Sequence, residues 1–303
     1  MTSGTIDEKL IERLDAIEGL QVRRAEPMAR HVSMRVGGPA AVFAVVATEE
    51  ALERLVALLT CEGLPWHVLG GGANTIFREA GFPGVVIKLG RELHRIERGP
   101  GVDQVTAGAA TPLAVVMNFA KRAGLSGLEF AAGIPGTFGG AVAGNAGTPD
   151  GYACDYVEAA VVIDEEGRRR VYPRGTFDYG YRWSQLREQI IVEATVGLRP
   201  DTPEAITARI KASLGQRRGQ PYRSNCSGCI FRNPEGDSAG RLIDAAGLKG
   251  LRVGGAAVSA DHANFIVNDA GATASDIEVL IERVRRRVRD RFGVDLELEV
   301  RIV

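Results

Sequence analysis

The run Gly133-Ile134-Pro135-Gly136-Thr137-Phe138-Gly139-Gly140-Ala141-Val142-Ala143-Gly144-Asn145-Ala146-Gly147 constrains this chain more than any other stretch. Glycine weakens helices and strands and brings no side chain to a core, so such a density packs poorly by itself. A flat ligand lying against the backbone accounts for it. A second cluster, Gly70-Gly71-Gly72-Ala73-Asn74, follows an apolar run, Trp66 to Leu69, that reads as a short strand. Alone, this cluster is equally an ordinary turn. Beside the first run it reads as a concave array of N–H groups that lets a pyrophosphate approach the backbone closely. No Gly-x-Gly-x-x-Gly opens a helix in a strand-helix-strand unit, so a nucleotide here is not expected in the usual dinucleotide fold.

Around these segments the first half alternates β-rich and helical stretches. Ala41 to Val46 reads as a strand, and Thr48, with Glu49 and Glu50 in the first turn, opens a helix that buries Leu52, Leu55, Val56 and Leu59. Val85 to Leu89 reads as the next strand. Thr111-Pro112 predicts a second helix, with a capping hydroxyl before a proline at the first helical position. Two β runs, Ala159 to Ile163 and Ile190 to Leu198, lie on either side of the turn Asp164-Glu165-Glu166-Gly167. Arg199-Pro200-Asp201-Thr202-Pro203 combines two prolines with a fresh helix cap and is the expected boundary between domains 1–200 and 201–303, the first with two lobes split near residue 100. Near the end, Thr273 to Phe292 predicts a long helix burying Ile277, Leu280, Ile281, Val284 and Val288. An alternating strand, Leu296 to Val303, follows it.

Composition removes several function classes. A length of 303 residues with 45% hydrophobic and 25% charged residues predicts two or three compact units. The formal net charge of -1 gives no general attraction to polyanions, so no nucleic-acid partner is expected and an anionic ligand must be held by local charges. The basic run Arg283 to Arg291 includes Asp290 and forms the polar, solvated face of the long helix. No apolar run approaches the roughly 20 residues that span a bilayer. The start, Met1 to Leu20, is acidic and amphipathic rather than a signal peptide, so the chain reads as cytoplasmic. Cys61, Cys154, Cys226 and Cys229 are too scattered for a disulfide framework and are expected as thiols.

Several segments in one order carry a resemblance. They are Val36-Gly37-Gly38-Pro39-Ala40, Gly70 to Thr75, Leu128-Glu129-Phe130 through Gly147, Asp178-Tyr179-Gly180-Tyr181-Arg182, Gly228-Cys229-Ile230-Phe231-Arg232-Asn233-Pro234, Ala239-Gly240-Arg241-Leu242-Ile243-Asp244, His262-Ala263-Asn264-Phe265 and Glu299-Val300-Arg301-Ile302. From about residue 30 onward the chain resembles the UDP-N-acetylenolpyruvoylglucosamine reductases, and its shorter branch, because an additional tyrosine-bearing insertion is missing. The resemblance implies an α+β fold: a two-lobed FAD-binding module of the vanillyl-alcohol-oxidase/PCMH type, then a smaller α+β substrate-binding domain that closes over a UDP-sugar. It implies non-covalent FAD, NADPH as co-substrate and UDP-N-acetylglucosamine enolpyruvate as substrate. NADPH would reduce the flavin, which would pass hydride to the enolpyruvyl double bond. Flavin contacts fall on Gly70, Gly71, Gly72, Ala73, Asn74, Thr75, Gly133, Ile134, Pro135, Thr137, Gly140, Asn145, Ala146 and Gly147.

Such a reduction develops negative charge on an enolate-like carboxylate, which needs cationic or protonated groups aimed at it and an acid at the neighbouring carbon. The resemblance places Arg182 at that charge, where a guanidinium grips a carboxylate through two hydrogen bonds. By pattern alone it is a surface arginine. Glu299, which by alternation is an exposed strand residue beside Glu297 and Arg301, becomes the protonated partner, with a pKa raised by burial. The proton donor falls on Cys229, where the commonest family pattern has serine. A thiol, with a free pKa of about 8.5, is mostly protonated at neutral pH and more acidic than an alcohol, so activity is expected to survive with a new sensitivity to oxidants and alkylating agents.

Cys226-Ser227-Gly228-Cys229 also has Cys-x-x-Cys spacing. Zinc is not expected, because a structural site takes four ligands and His31, His67, His94 and His262 are far apart in sequence. A regulatory disulfide stays open. For the UDP end, Arg217, Arg218, Arg232, Asn233 and Lys249 offer donors for a diphosphate, Arg232 and Asn233 from within a matched segment. Two other readings stay open: another FAD-dependent oxidase of the same fold, and a protein that binds flavin or UDP-sugar without chemistry.

Overall fold

The computed structural model describes residues 6–221 and 224–303, so Met1 to Thr5 of the acidic start lie outside the described residues. The chain forms two compact units that alternate along the sequence. The first takes the chain up to Arg24, Val42–Gly70 and Gly84–Arg217; the second takes Ala25–Ala41, Gly71–Pro83 and Arg218–Val303. A division at residue 200 differs from this packing. The helix Pro203–Gln216, capped by Thr202 with proline in its first turn, packs into the first unit through Ile206 and Ile210. Its Arg209 also bonds the buried Glu129, at 2.9 Å.

Two sheets organise the first unit. One has the strand order Leu20–Pro27, Pro39–Val46, Phe82–Leu89, Trp66–Val68. The helices Glu8–Asp15 and Glu49–Cys61 pack on it, burying Leu10, Leu14, Leu52, Leu55 and Leu59 against Val42, Ala44, Val85 and Ile87. Thr48 caps the second of these helices, accepting from Ala51 N. The other sheet is antiparallel, in the order Arg169–Pro173, Val157–Ile163, Ile190–Gly197, Gln104–Gly108, Ile96–Arg98. Its central strands read as continuous apolar runs because both faces are buried. Ala160, Val162, Ile191 and Ala194 enter one core with Phe130 and Phe138, while Val161, Ile163, Ile190 and Val192 enter the other with Leu52 and Leu55. Period-two alternation thus divides one pair of strands between two cores.

In the second unit an antiparallel sheet, ordered Asn225–Cys226, Ile266–Asn268, Ala256–Val258, Arg252–Val253, packs with the helices Ala239–Ala245 and Ala274–Phe292. The long helix opens with a reciprocal cap between Thr273 and Asp276 and closes at Gly293, left-handed at φ 70°. Its Ile277, Leu280, Ile281, Val284 and Val288 are buried, as its periodicity requires. Truncating a fully buried leucine such as Leu280 costs about 2–5 kcal/mol.

Two sequence expectations need correction. Thr111 does not cap the second helix. Its side chain is buried and donates to Arg95 O at 2.9 Å, so the helix begins at Leu113 with Pro112 in the cap position. The run Leu296 to Val303 is not one strand, because its hydrogen bonds are divided between two partners. Residues 297–299 bond to the segment around Ile230 and Phe231, and only Arg301–Ile302 forms a strand, parallel to Thr75–Ile76. The inward pattern survives: Leu296 and Val300 are buried and Glu297 is exposed. No described helix is long and apolar enough to cross a membrane.

Candidate active site

In the first unit the glycine run is strapped to the connection between the strand Gln104–Gly108 and the helix Leu113–Arg122. Leu113 N donates to Gly136 O, Phe138 N to Thr111 O and Gly139 N to Ala109 O. The approach requires glycine: a Cβ at Gly139 would lie 2.4 Å from Ala109 Cβ. Gly136, at φ +115°, faces open space, with nothing within 4 Å of a would-be Cβ. Thr137 accepts from Gly140 N at 3.3 Å and so caps the short helix Phe138–Ala143.

Asn145 ends this run in the left-handed region, at φ 43°, and is buried. Its Nδ2 donates to Gly180 O at 2.8 Å and its Oδ1 accepts from Cys154 N at 2.9 Å, so its amide is engaged within the fold. Arg182 lies in the turn of a hairpin formed by Tyr179–Gly180 and Trp183–Ser184. It too is left-handed, at φ 58°; its Nη1 donates to Gly147 O at 2.9 Å and its guanidinium lies 5.3 Å from the Tyr181 ring centre. Left-handed non-glycine residues are uncommon and concentrate where geometry is imposed. The glycine run therefore holds the arginine hairpin at both ends. Arg217 donates to Ala132 O at 3.2 Å, next to the same run. Nearby, burial alone would raise the Glu129 carboxyl, but Gly127 N, Ser126 and Arg209 bond it and hold it below its usual value.

In the second unit the segment Gly71 to Thr75 leads into the strand Thr75–Ile76. Gly72, at φ +68°, must be glycine, because a Cβ there would fall 2.1 Å from His31 O. Among the described residues the N–H groups of Gly71, Gly72, Ala73 and Asn74 donate to no carbonyl. Asn74 Nδ2 donates to Glu299 O at 3.1 Å and Asn74 O accepts from Arg301 N at 3.0 Å. Glu299 N in turn donates to Ile230 O at 2.8 Å. Cys229 precedes Ile230, so thiol and carboxyl sit on neighbouring, hydrogen-bonded segments. Both residues are half-buried.

Asn264 fixes this arrangement and has no role in the sequence reading. Its buried amide donates to Phe231 O at 2.8 Å and accepts from Phe231 N at 3.0 Å, as a neighbouring strand would. Only its place in a matched segment could have flagged it. Arg232 N bonds Glu297 O, and Asn233 Oδ1 accepts from Ala239 N at 3.1 Å, at the start of the helix Ala239–Ala245. Lys249 pairs with Asp244 at 2.8 Å. No disulfide joins Cys226 to Cys229, and burial pushes the Cys226 thiol above its usual pKa. The structure thus brings Asn74, Cys229, Arg232 and Glu299 together in one unit, and Gly133 to Gly147, Arg182 and Arg217 in the other.

The glycine segments suit FAD. Open backbone, unengaged N–H groups and a threonine hydroxyl are the donors that a diphosphate accepts from. Among the described residues no group of three or more His, Cys, Asp or Glu could hold a metal ion.

Comparison with known proteins agrees. Residues 39–171 match the family model described as an FAD binding domain. Residues 220–303 match that described as the C-terminal domain of UDP-N-acetylenolpyruvoylglucosamine reductase. A glucose dehydrogenase of 16% identity, aligned over 65% of this chain and 45% of its own, shares the fold at a TM-score of 0.51. Fold and site define an FAD-dependent oxidoreductase, α+β, built on the two-lobed vanillyl-alcohol-oxidase/PCMH module with a C-terminal domain. The crystal structure of UDP-N-acetylenolpyruvylglucosamine reductase from Thermus caldophilus superposes at a TM-score of 0.80, with 38% identity over 93% of this chain and 98% of that one. Relatives named UDP-N-acetylenolpyruvoylglucosamine reductase include those of Moorella thermoacetica, 44% identical over 93% of both chains, and Bacillus subtilis, 37% identical over 98% of both. This chain belongs to the UDP-N-acetylenolpyruvoylglucosamine reductase family, and the oxidase reading is not favoured.

Proposed function

We propose that this chain reduces UDP-N-acetylglucosamine enolpyruvate to UDP-N-acetylmuramate with non-covalently bound FAD and with NADPH as co-substrate. In this reading it makes a peptidoglycan precursor in the cytoplasm, and through it serves cell shape and division. In this reading the FAD-binding module carries the flavin and the C-terminal domain the UDP-sugar. When bound, FAD supplies the hydride that one carbon of the double bond receives. Backbone N–H groups of Gly70 to Thr75 and of Gly133 to Gly147 hold the cofactor. Asn145 acts there by shaping the run, since its side-chain amide is engaged by Gly180 and Cys154 and its own N–H by Val142 O.

The observation that supports the assignment is the Glu299 N to Ile230 O bond, which ties together the two backbone segments that carry Glu299 and Cys229. Arg182 steadies the substrate carboxylate as charge accumulates on it. Glu299 shares a proton with that carboxylate, and Cys229 delivers the proton to the second carbon. Arg217, Arg232, Asn233 and Lys249 supply donors for the uridine diphosphate.

The test is steady-state NADPH oxidation by the purified protein with and without UDP-N-acetylglucosamine enolpyruvate, with mass spectrometry of the product. Consumption that depends on this substrate, giving a product heavier by one hydride and one proton, supports the reading. Equal NADPH consumption with oxygen alone contradicts it.

A further inference from the structure

The glycine segments assigned to FAD, Gly70 to Thr75 and Gly133 to Gly147, contain no charged residue. Their N–H groups and the Thr137 hydroxyl can orient a diphosphate, but they cannot neutralise its charge. Lys88 stands where a cation is missing. It closes the apolar run Val85-Val86-Ile87 in the strand Phe82–Leu89, and its Nζ donates to Gly70 O. Thr137 Oγ1 lies close to the same glycine, 2.9 Å from the position of a Cβ at Gly70. Among the described residues no carbonyl accepts from the N–H groups of Gly136 and Thr137.

Lys88 is half-buried, and burial pushes its ammonium below the usual lysine pKa. Among the described residues its partner is a neutral carbonyl, and no carboxylate forms an ion pair with it. A desolvated cation without a counter-ion is unfavourable. Its position beside a glycine loop calls for an anion from outside the chain. We propose that Lys88 is a cofactor-binding residue whose ammonium neutralises the diphosphate of FAD. The inference rests on the FAD-dependent reading above.

A purely structural alternative has Lys88 simply tethering the Gly70 carbonyl, and substitution separates the two. Lys88→Gln keeps a donor for that carbonyl without the charge; Lys88→Met removes both the donor and the cost of burying a charge. Each apoprotein is titrated with FAD and with riboflavin, which lacks phosphate, by quenching of flavin fluorescence, and each is melted without ligand. FAD affinity should fall about 10- to 100-fold in both variants, the effect expected of one charge-assisted hydrogen bond. Riboflavin affinity should stay as in the wild type, and the Lys88→Met apoprotein should melt no lower than the wild type. FAD affinity within about twofold of wild type in Lys88→Met, or equal loss of FAD and riboflavin, overturns the proposal. A wild-type protein that binds no FAD overturns the underlying reading as well, and is told apart from failure of the inference alone by that control.

Discussion

Arg182 Nη1 donates to the carbonyl of Gly147 at 2.9 Å, from a backbone held at φ 58°. The residue proposed to meet the developing carboxylate charge is therefore aimed by the glycine run itself. Arg182→Ala should lower kcat by about 10²- to 10³-fold, the usual effect of removing one charge-stabilising donor. Flavin content should not change, because the proposed cofactor contacts are backbone groups of the run and not the arginine side chain. Turnover and the protein-to-flavin absorbance ratio of the variant check both halves.

Asn145 anchors the other end of the hairpin through Gly180 and Cys154. Asn145→Ala leaves the buried Cys154 N–H without its partner, frees the half-buried Gly180 carbonyl from its side-chain bond and places alanine at φ 43°, so it should destabilise the protein by about 2–4 kcal/mol. Its kcat should fall with that of Arg182→Ala. Urea denaturation and steady-state kinetics on one preparation test the link. Wild-type stability would remove Asn145 from this role.

Cys229→Ser should retain substantial activity and Cys229→Ala should lose about 10²- to 10⁴-fold, the span of general acid catalysis. Equal activities would remove the side chain from proton delivery.

The four cysteines should also differ toward iodoacetamide at pH 8. Burial pushes the Cys154 thiol up to about 12, so it is neutral and enclosed, whereas Cys61 is exposed. Mass spectrometry of the native protein should find Cys61 alkylated and Cys154 intact.

Asp164 gives a pH prediction. Burial would raise its carboxyl, but Arg168 N and the Arg170 and Arg168 guanidinium groups bond it and hold it at about 2, against an ordinary 3.8. A carboxylate depressed on folding contributes stability that is present above the ordinary value and lost as pH falls toward the folded one. Melting temperature should drop between about pH 4 and pH 2 in the wild type and less steeply in Asp164→Asn, which has no carboxyl to titrate.

The limits of sequence reading follow from which hydrogen bonds a residue makes. The helix opened by Thr48 and the long helix from Thr273 were legible, because both caps are local and both buried faces repeat at helical spacing. Thr111 misled because its hydroxyl bonds Arg95, a long-range partner that local spacing does not reveal. The run from Leu296 alternates correctly, yet its backbone is shared between the segment around Ile230 and that around Asn74. Glycine density marked both segments proposed to hold the flavin. The roles of Asn264 and Lys88 were not legible, because one pairs with a backbone 33 residues away and the other is a lone charge at the end of an apolar strand.

The most direct test of the account is anaerobic stopped-flow absorbance on the purified holoprotein. The flavin is reduced with NADPH and then mixed with UDP-N-acetylglucosamine enolpyruvate. The account predicts that the flavin band bleaches in the first step and returns rapidly in the second, without oxygen. A flavin that the substrate fails to reoxidise would contradict it.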